Sequence, residues 1–89
     1  MYILVSGEPG FALSCLYGVN EQQVSRLKDK LQLQLIIDPP KKISDGLRYQ
    51  LMITPLKLLS FLNSEYGAEI VSSACGEKEI KWTLKVNDI

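Results

Sequence analysis

Near the end of the chain Ile80, Trp82, Leu84 and Val86 alternate with Lys81, Thr83 and Lys85. A period of two with charges on one side predicts a half-buried antiparallel strand. Glu69 to Ala74 reads as a strand ahead of it, with a tight turn at Gly76 between them. Before these the period lengthens. Leu56, Leu59, Leu62 and Tyr66 fall at i, i+3, i+6 and i+10 and form one apolar stripe of a helix. Thr54 suits the N-cap of that helix, and Pro55 suits its first position, where the absent N–H has no helical partner to lose. Gly67 suits the left-handed residue that ends it. Arg48 to Val86 therefore reads strand, helix, strand, tight turn, strand, and the rest of the chain is organised around this unit.

The first half carries weaker patterns. Tyr2-Ile3-Leu4-Val5 is a short apolar run ended by Ser6-Gly7, which predicts a strand. Gly7, Pro9 and Gly10 make a loop. Phe11 to Tyr17 predicts a second strand, with Phe11, Leu13, Cys15 and Tyr17 on one face. The short gap favours antiparallel pairing, because a parallel connection needs a crossover of about a dozen residues. Asn20 with Gln23 is a capping-box variant, and Val24, Leu27 and Leu31 predict a helix from about Glu21 to about Lys30. Leu31 to Asp38 alternates and then becomes apolar at Ile36-Ile37; it reads as a third strand or as a continuation of the helix. Pro39-Pro40 is expected to stop it. Pro39 to Gly46 is then a polar connection with a turn signal at Asp45-Gly46 and a solvated basic pair, Lys41-Lys42. Leu47 to Ile53 predicts a fourth strand.

The order is β-β-α-β-β-α-β-β within a single domain, residues 1–89. It predicts an α+β fold: a largely antiparallel sheet of about six strands with two helices on one face. A ferredoxin-like core with one extra strand at each end of the chain uses the same elements. At 89 residues such a domain buries about 60–65% of its unfolded surface, so association would help it. Open sheet edges point the same way, toward a homo-oligomer that covers them.

Composition removes several classes of function. Ten basic and ten acidic side chains cancel, which removes the electrostatic reason to expect nucleic acid or an anionic membrane. The absence of His excludes His-based acid–base catalysis and His metal ligation. The Ser and Cys side chains thus have no His to activate them. The carboxylates Glu65, Glu69, Glu77 and Glu79 are scattered, without the paired arrangement of a glycosidase. Gly7 and Gly10 are too closely spaced to form a phosphate loop. No enzyme, cofactor or metal is expected. Cys15 and Cys75 read as free thiols of a soluble cytoplasmic protein, and no apolar run approaches the length of a membrane span.

Three features remain as candidates for binding. One is the loop Gly7, Glu8, Pro9, Gly10 and Phe11, which also reads as an ordinary hairpin connection. Another is the turn Cys75, Gly76, Glu77 and Lys78, which also reads as a plain tight turn. The last is Trp82, which reads as core or as the lining of a pocket or interface.

The segment Gly67-Ala68-Glu69-Ile70-Val71-Ser72-Ser73-Ala74-Cys75-Gly76-Glu77-Lys78-Glu79-Ile80-Lys81-Trp82-Thr83-Leu84-Lys85 resembles the C-terminal hairpin of the GTP cyclohydrolase I feedback regulatory protein family. The shared frame is the Gly after the helix, the Ile-Val-Ser strand, the turn Gly, the Trp six residues on and the Leu two beyond it. The Pro opening the helix, Tyr49 in the strand before it, and Tyr2-Ile3-Leu4-Val5-Ser6 are also similar. The resemblance implies a non-enzymatic pentameric regulator that docks on GTP cyclohydrolase I. It implies inhibition relayed from tetrahydrobiopterin and activation from phenylalanine, with phenylalanine held between the two proteins. The segments matching the effector and docking region are Gly7 to Phe11 and Cys75 to Lys78, with Trp82 behind. This chain departs from the family in its charged turn Glu77-Lys78-Glu79, and in Glu8, where a basic residue is expected. An acid there can hold an amino acid's ammonium group, and Lys78 its carboxylate. A small protein-interaction domain without a small ligand is the alternative.

Overall fold

A computed structural model describes residues 1–31, 36–43 and 46–89. The elements are β1 (Tyr2–Gly7), β2 (Ser14–Tyr17), α1 (Glu21–Leu31), β3 (Ile36–Ile43), β4 (Gly46–Leu51), α2 (Pro55–Tyr66), β5 (Glu69–Cys75) and β6 (Ile80–Lys85). Strands follow the order β3-β4-β2-β1-β6-β5, and every neighbouring pair is antiparallel. The fold is therefore α+β with an antiparallel sheet and two helices, as the alternation predicted. β1 and β6, which a ferredoxin-like scheme treats as additions, lie side by side inside the sheet, between β2 and β5.

One core cluster joins Val24 and Leu27 of α1, Leu58, Leu59 and Leu62 of α2, and the inward side chains of β1, β2, β4 and β6. Both helices thus cover one face. Period two sets which strand residues point inward: Ile3 and Val5, Leu16, Tyr49 and Leu51, Trp82 and Leu84 are all buried. Their register is consistent, with Val5 opposite Leu16 and Trp82, and Leu16 opposite Tyr49. Ser14 is the polar exception on this face. Its hydroxyl donates to the Ile53 carbonyl at 2.6 Å, which removes the cost of burying an unpaired hydroxyl and ties β2 to the start of α2.

Both helices are capped as their sequences require. In α1 the Gln23 N–H donates to the Asn20 side chain at 2.9 Å, and the Asn20 N–H donates to the Gln23 side chain at 2.9 Å. These reciprocal bonds satisfy two backbone donors. In α2 Thr54 accepts from the Lys57 N–H, Pro55 opens the helix, and Gly67 ends it at φ 66. The Gly67 N–H donates to Asn63 and the Ala68 N–H to Leu62. This closes the carbonyl end in the left-handed conformation that Gly adopts without a Cβ clash.

Several expectations are corrected. The buried face of α2 is Pro55, Leu58, Leu59 and Leu62; Leu56 is 55% exposed and Tyr66 is half-buried at the rim. Burying each of those Leu side chains contributes about 1.5–3 kcal/mol, against about 1 kcal/mol for a cap, so packing fixes the rotation of the helix. The second strand begins at Ser14, not Phe11, and turns Ser14 and Leu16 inward. Phe11 lies in the preceding loop and is 58% exposed. Pro39-Pro40 does not stop the third strand, which runs through both prolines to Ile43. β3 is an edge strand with a register shift between Ile37 and Lys41, and edges and bulges are where a residue without an N–H is tolerated. Lys41 and Lys42 pair with Arg48 and Leu47 within that strand instead of lying in a loop. The fourth strand ends at Leu51, not Ile53. The alternation over 32–35 and the first residue of the expected turn at 45–46 lie outside the described residues.

Candidate functional site

Backbone pairing brings the two candidate segments together. Gly7 closes β1 and lies opposite Ile80, the first residue of β6. The β1–β2 loop and the β5–β6 turn therefore emerge at the same end of the sheet. Gly7 is required by close approach, since a Cβ there would meet the Leu13 carbonyl oxygen at 2.8 Å and the Pro55 ring at 2.8 Å. The loop is held by its own backbone: the Phe11 N–H donates to Glu8 at 3.0 Å and the Leu13 N–H to Phe11 at 2.8 Å. In the turn the Gly76 N–H donates to the Glu79 carbonyl at 2.7 Å.

Two shallow clefts open at this end. One, of about 310 Å³, is lined by Ser6, Gly7, Glu8, Phe11, Leu13, Cys15 and Glu79. The other, of about 380 Å³, is lined by Ala74, Cys75, Gly76, Glu79 and Lys81. Glu79 borders both. The first cleft combines two carboxylates with the exposed Phe11 ring and the Ser6 hydroxyl. Ser6 is 1% exposed, and its Oγ has no hydrogen-bond partner among the described residues. A buried hydroxyl without a partner leaves a desolvation cost that a ligand's N–H or carbonyl can offset. Two acids beside it favour an ammonium-bearing ligand. Lys81, across the strand from Ser6, supplies the one cation that borders the second cleft.

Of the residues singled out in the sequence, Gly7, Glu8 and Phe11 line the first cleft and Cys75 and Gly76 the second. Pro9, Gly10, Glu77 and Lys78 belong to the same loop and turn but line neither. Trp82 lies on the opposite side of the sheet: it is 7% exposed, belongs to the core cluster, and pairs with the inward Val5. Ser6, Leu13, Cys15, Ala74, Glu79 and Lys81 are additional. Glu79 and Lys81 look like solubilising charge in isolation; only the pairing of Ser6 with Lys81 brings them to the site.

Both thiols are free, Cys15 half-buried and Cys75 exposed. Among the described residues no group of three or more His, Cys, Asp or Glu side chains is placed to hold a metal. No helix among them is long and apolar enough to cross a membrane. No family model, curated protein or solved structure matches the chain.

Proposed function

We propose that this protein is a non-catalytic regulator that docks on an enzyme and responds to a small effector at the Gly7–Phe11 and Cys75–Lys78 end of the sheet. The reading rests on one observation: those two separate segments flank adjoining clefts that share Glu79. Loops carried on a rigid sheet are where binding groups tend to sit. The resemblance of the C-terminal hairpin points to GTP cyclohydrolase I as the enzyme and to a phenylalanine-like amino acid as the effector. Glu8 and Glu79 would hold the ammonium group, Phe11 would cover the apolar part, and Lys78 or Lys81 would face the carboxylate. The working form is a homo-oligomer, a pentamer in the family's pattern, acting in the cytoplasm. Regulation is linkage: an effector that binds the complex better than the separate parts tightens the complex by the same factor.

Light scattering at several concentrations tests the assembly. Five copies of the 10.0 kDa chain have a mass of about 50 kDa, and a stable species there is expected. Mixing with GTP cyclohydrolase I, with and without phenylalanine, then tests docking. Effector-dependent co-elution that is lost in the double variant Glu8→Gln, Glu79→Gln supports the reading. A monomer at every concentration that binds neither the enzyme nor the amino acid overturns it.

A further inference from the structure

The sheet face turned away from the helices carries a concavity of about 390 Å³, which shares Lys81 with the cleft at Cys75 and no residue with the cleft at Glu8. Strand register sets its floor. Tyr17, Leu4 and Thr83 lie side by side across β2, β1 and β6. Tyr2, two residues before Leu4 and so on the same face, stands over one end and is 63% exposed. Tyr2, Tyr17, Leu4, Thr83 and Lys81 all border the hollow.

Three cations and one acid lie in register around this floor. Arg48 is in register with Tyr17, Lys81 with Ser6 and Lys85 with Tyr2. Glu69, opposite Lys85, is the one acid in register with them among the described residues. None of the three cations forms an ion pair among the described residues, and the Arg48 Nε–H is buried there without a partner. A chain of zero net charge thus carries one locally basic face with two aromatic rings.

We infer that this face is a binding site for a small planar aromatic anion, one ring system bearing a carboxylate or a similar acidic group. The ring would lie over Leu4 and Thr83 against the tyrosine rings, which favour offset or edge-on aromatic contact, and the acidic group would reach Lys81. The size of the hollow matches a small-molecule site, mostly apolar with a few placed polar groups. A cationic ligand would meet Lys81, the charged side chain that borders the hollow. A second copy applied through this same face would bring its own Arg48, Lys81 and Lys85 against the same three residues, because a two-fold interface sets each patch against itself. The site goes beyond the proposed effector response: it shares Lys81 with the cleft at Cys75 but uses neither Glu8 nor Phe11, and Tyr2→Ala, at a residue outside both clefts, tests it apart from that response.

The test is amide-resolved NMR of the full chain titrated with naphthoate and, separately, with naphthylmethylammonium. Naphthoate should give saturable shifts centred on Leu4, Tyr17 and Thr83, and the cation should bind at least about tenfold more weakly, a difference of about 1.4 kcal/mol. Lys81→Glu should weaken naphthoate about tenfold or more, and Tyr2→Ala about fivefold. Both side chains are exposed, so unchanged core resonances will show that each variant folds. The inference is overturned if naphthoate gives no saturable shift or binds no better than the cation. It also fails if the shifts gather on the Gly7–Phe11 loop and Cys75–Glu79 turn. Shifts of the Leu4, Tyr17 and Thr83 amides on dilution without probe would overturn it too, because a second copy would then be the occupant.

Discussion

Truncating Leu58 and Leu56 separately should have very different effects, although the two stand two positions apart on α2. Leu58 is fully buried, at 0% exposure, and Leu56 is 55% exposed. Leu58→Ala removes three carbons from a close-packed core that also holds Leu59, Leu62, Val5 and Leu16. Loss of transfer free energy plus the cavity left behind gives about 2–5 kcal/mol. At about 0.05–0.15 kcal/mol per residue, an 89-residue domain has roughly 4–13 kcal/mol in total, so this one change consumes a large part of it. Leu56→Ala removes little buried surface and gains slightly in helix propensity, which gives a change within about 0.5 kcal/mol. Urea unfolding followed by Trp82 fluorescence and far-ultraviolet circular dichroism reads both. With a slope of about 1–3 kcal/mol per molar urea, a loss of about 2–5 kcal/mol in Leu58→Ala should lower the midpoint by about 0.7–5 M, and Leu56→Ala should leave it nearly in place. Equal losses, or a larger loss at Leu56, would refute the rotation assigned to α2 and with it the packing of α2 on the sheet.

Gly7→Ala should cost about 1–3 kcal/mol, the usual range for overpacking, because its Cβ would meet two atoms at 2.8 Å; thermal unfolding checks this, and an unchanged midpoint would count against the close approach of β1 to Pro55. Asn20→Ala breaks one of the two reciprocal 2.9 Å cap bonds of α1 and should cost about 0.5–2 kcal/mol in urea unfolding. Burial, and secondarily the charge of Glu21, pushes the Tyr49 phenol above its ordinary value of 10.0. Its neutral form is therefore favoured by folding, so this contribution is complete below about pH 10 and is lost as pH rises through the folded value. Tyr49→Phe should be no less stable than the parent at pH 7, since the Tyr49 hydroxyl has no partner among the described residues, and it should lose less stability above about pH 10. Parallel alkaline losses in the two proteins would remove Tyr49 from the account.

The regularities that depend on neighbours in sequence were legible. The β6 alternation, the Asn20–Gln23 box, Pro55 at the helix start and Gly67 at its end each needed only local chemistry, and each element formed where that chemistry put it. What failed was set by distant residues. Residues 55–62 offer two overlapping stripes, one through Leu56 and one through Pro55 and Leu58. Which of them turns inward depends on the approach of Pro55 to Gly7, 48 positions earlier in the chain. Phe11 fits an alternating strand, yet the backbone bonds from Phe11 to Glu8 and from Leu13 to Phe11 curl it into a loop. Pro39-Pro40 stops a central strand but not an edge one, and edge position is fixed by sheet order.

The same limit governs the charged residues, where it bears on function. Counting charges gives zero, which removes the electrostatic reason to expect nucleic acid or an anionic membrane. Strand pairing redistributes that zero. It gathers Arg48, Lys81 and Lys85 on the face away from the helices, and it brings Glu8 and Glu79 into one cleft at the sheet's end. Two sites of opposite preference can then coexist on a neutral domain, with Lys81 bordering both the open face and the cleft at Cys75. An anion bound on the open face would draw the Lys81 ammonium toward it, while an effector carboxylate at the turn would compete for the same group. If the effector carboxylate takes Lys81 and not Lys78, the two ligands compete for one ammonium, and each is expected to weaken the other by the same factor.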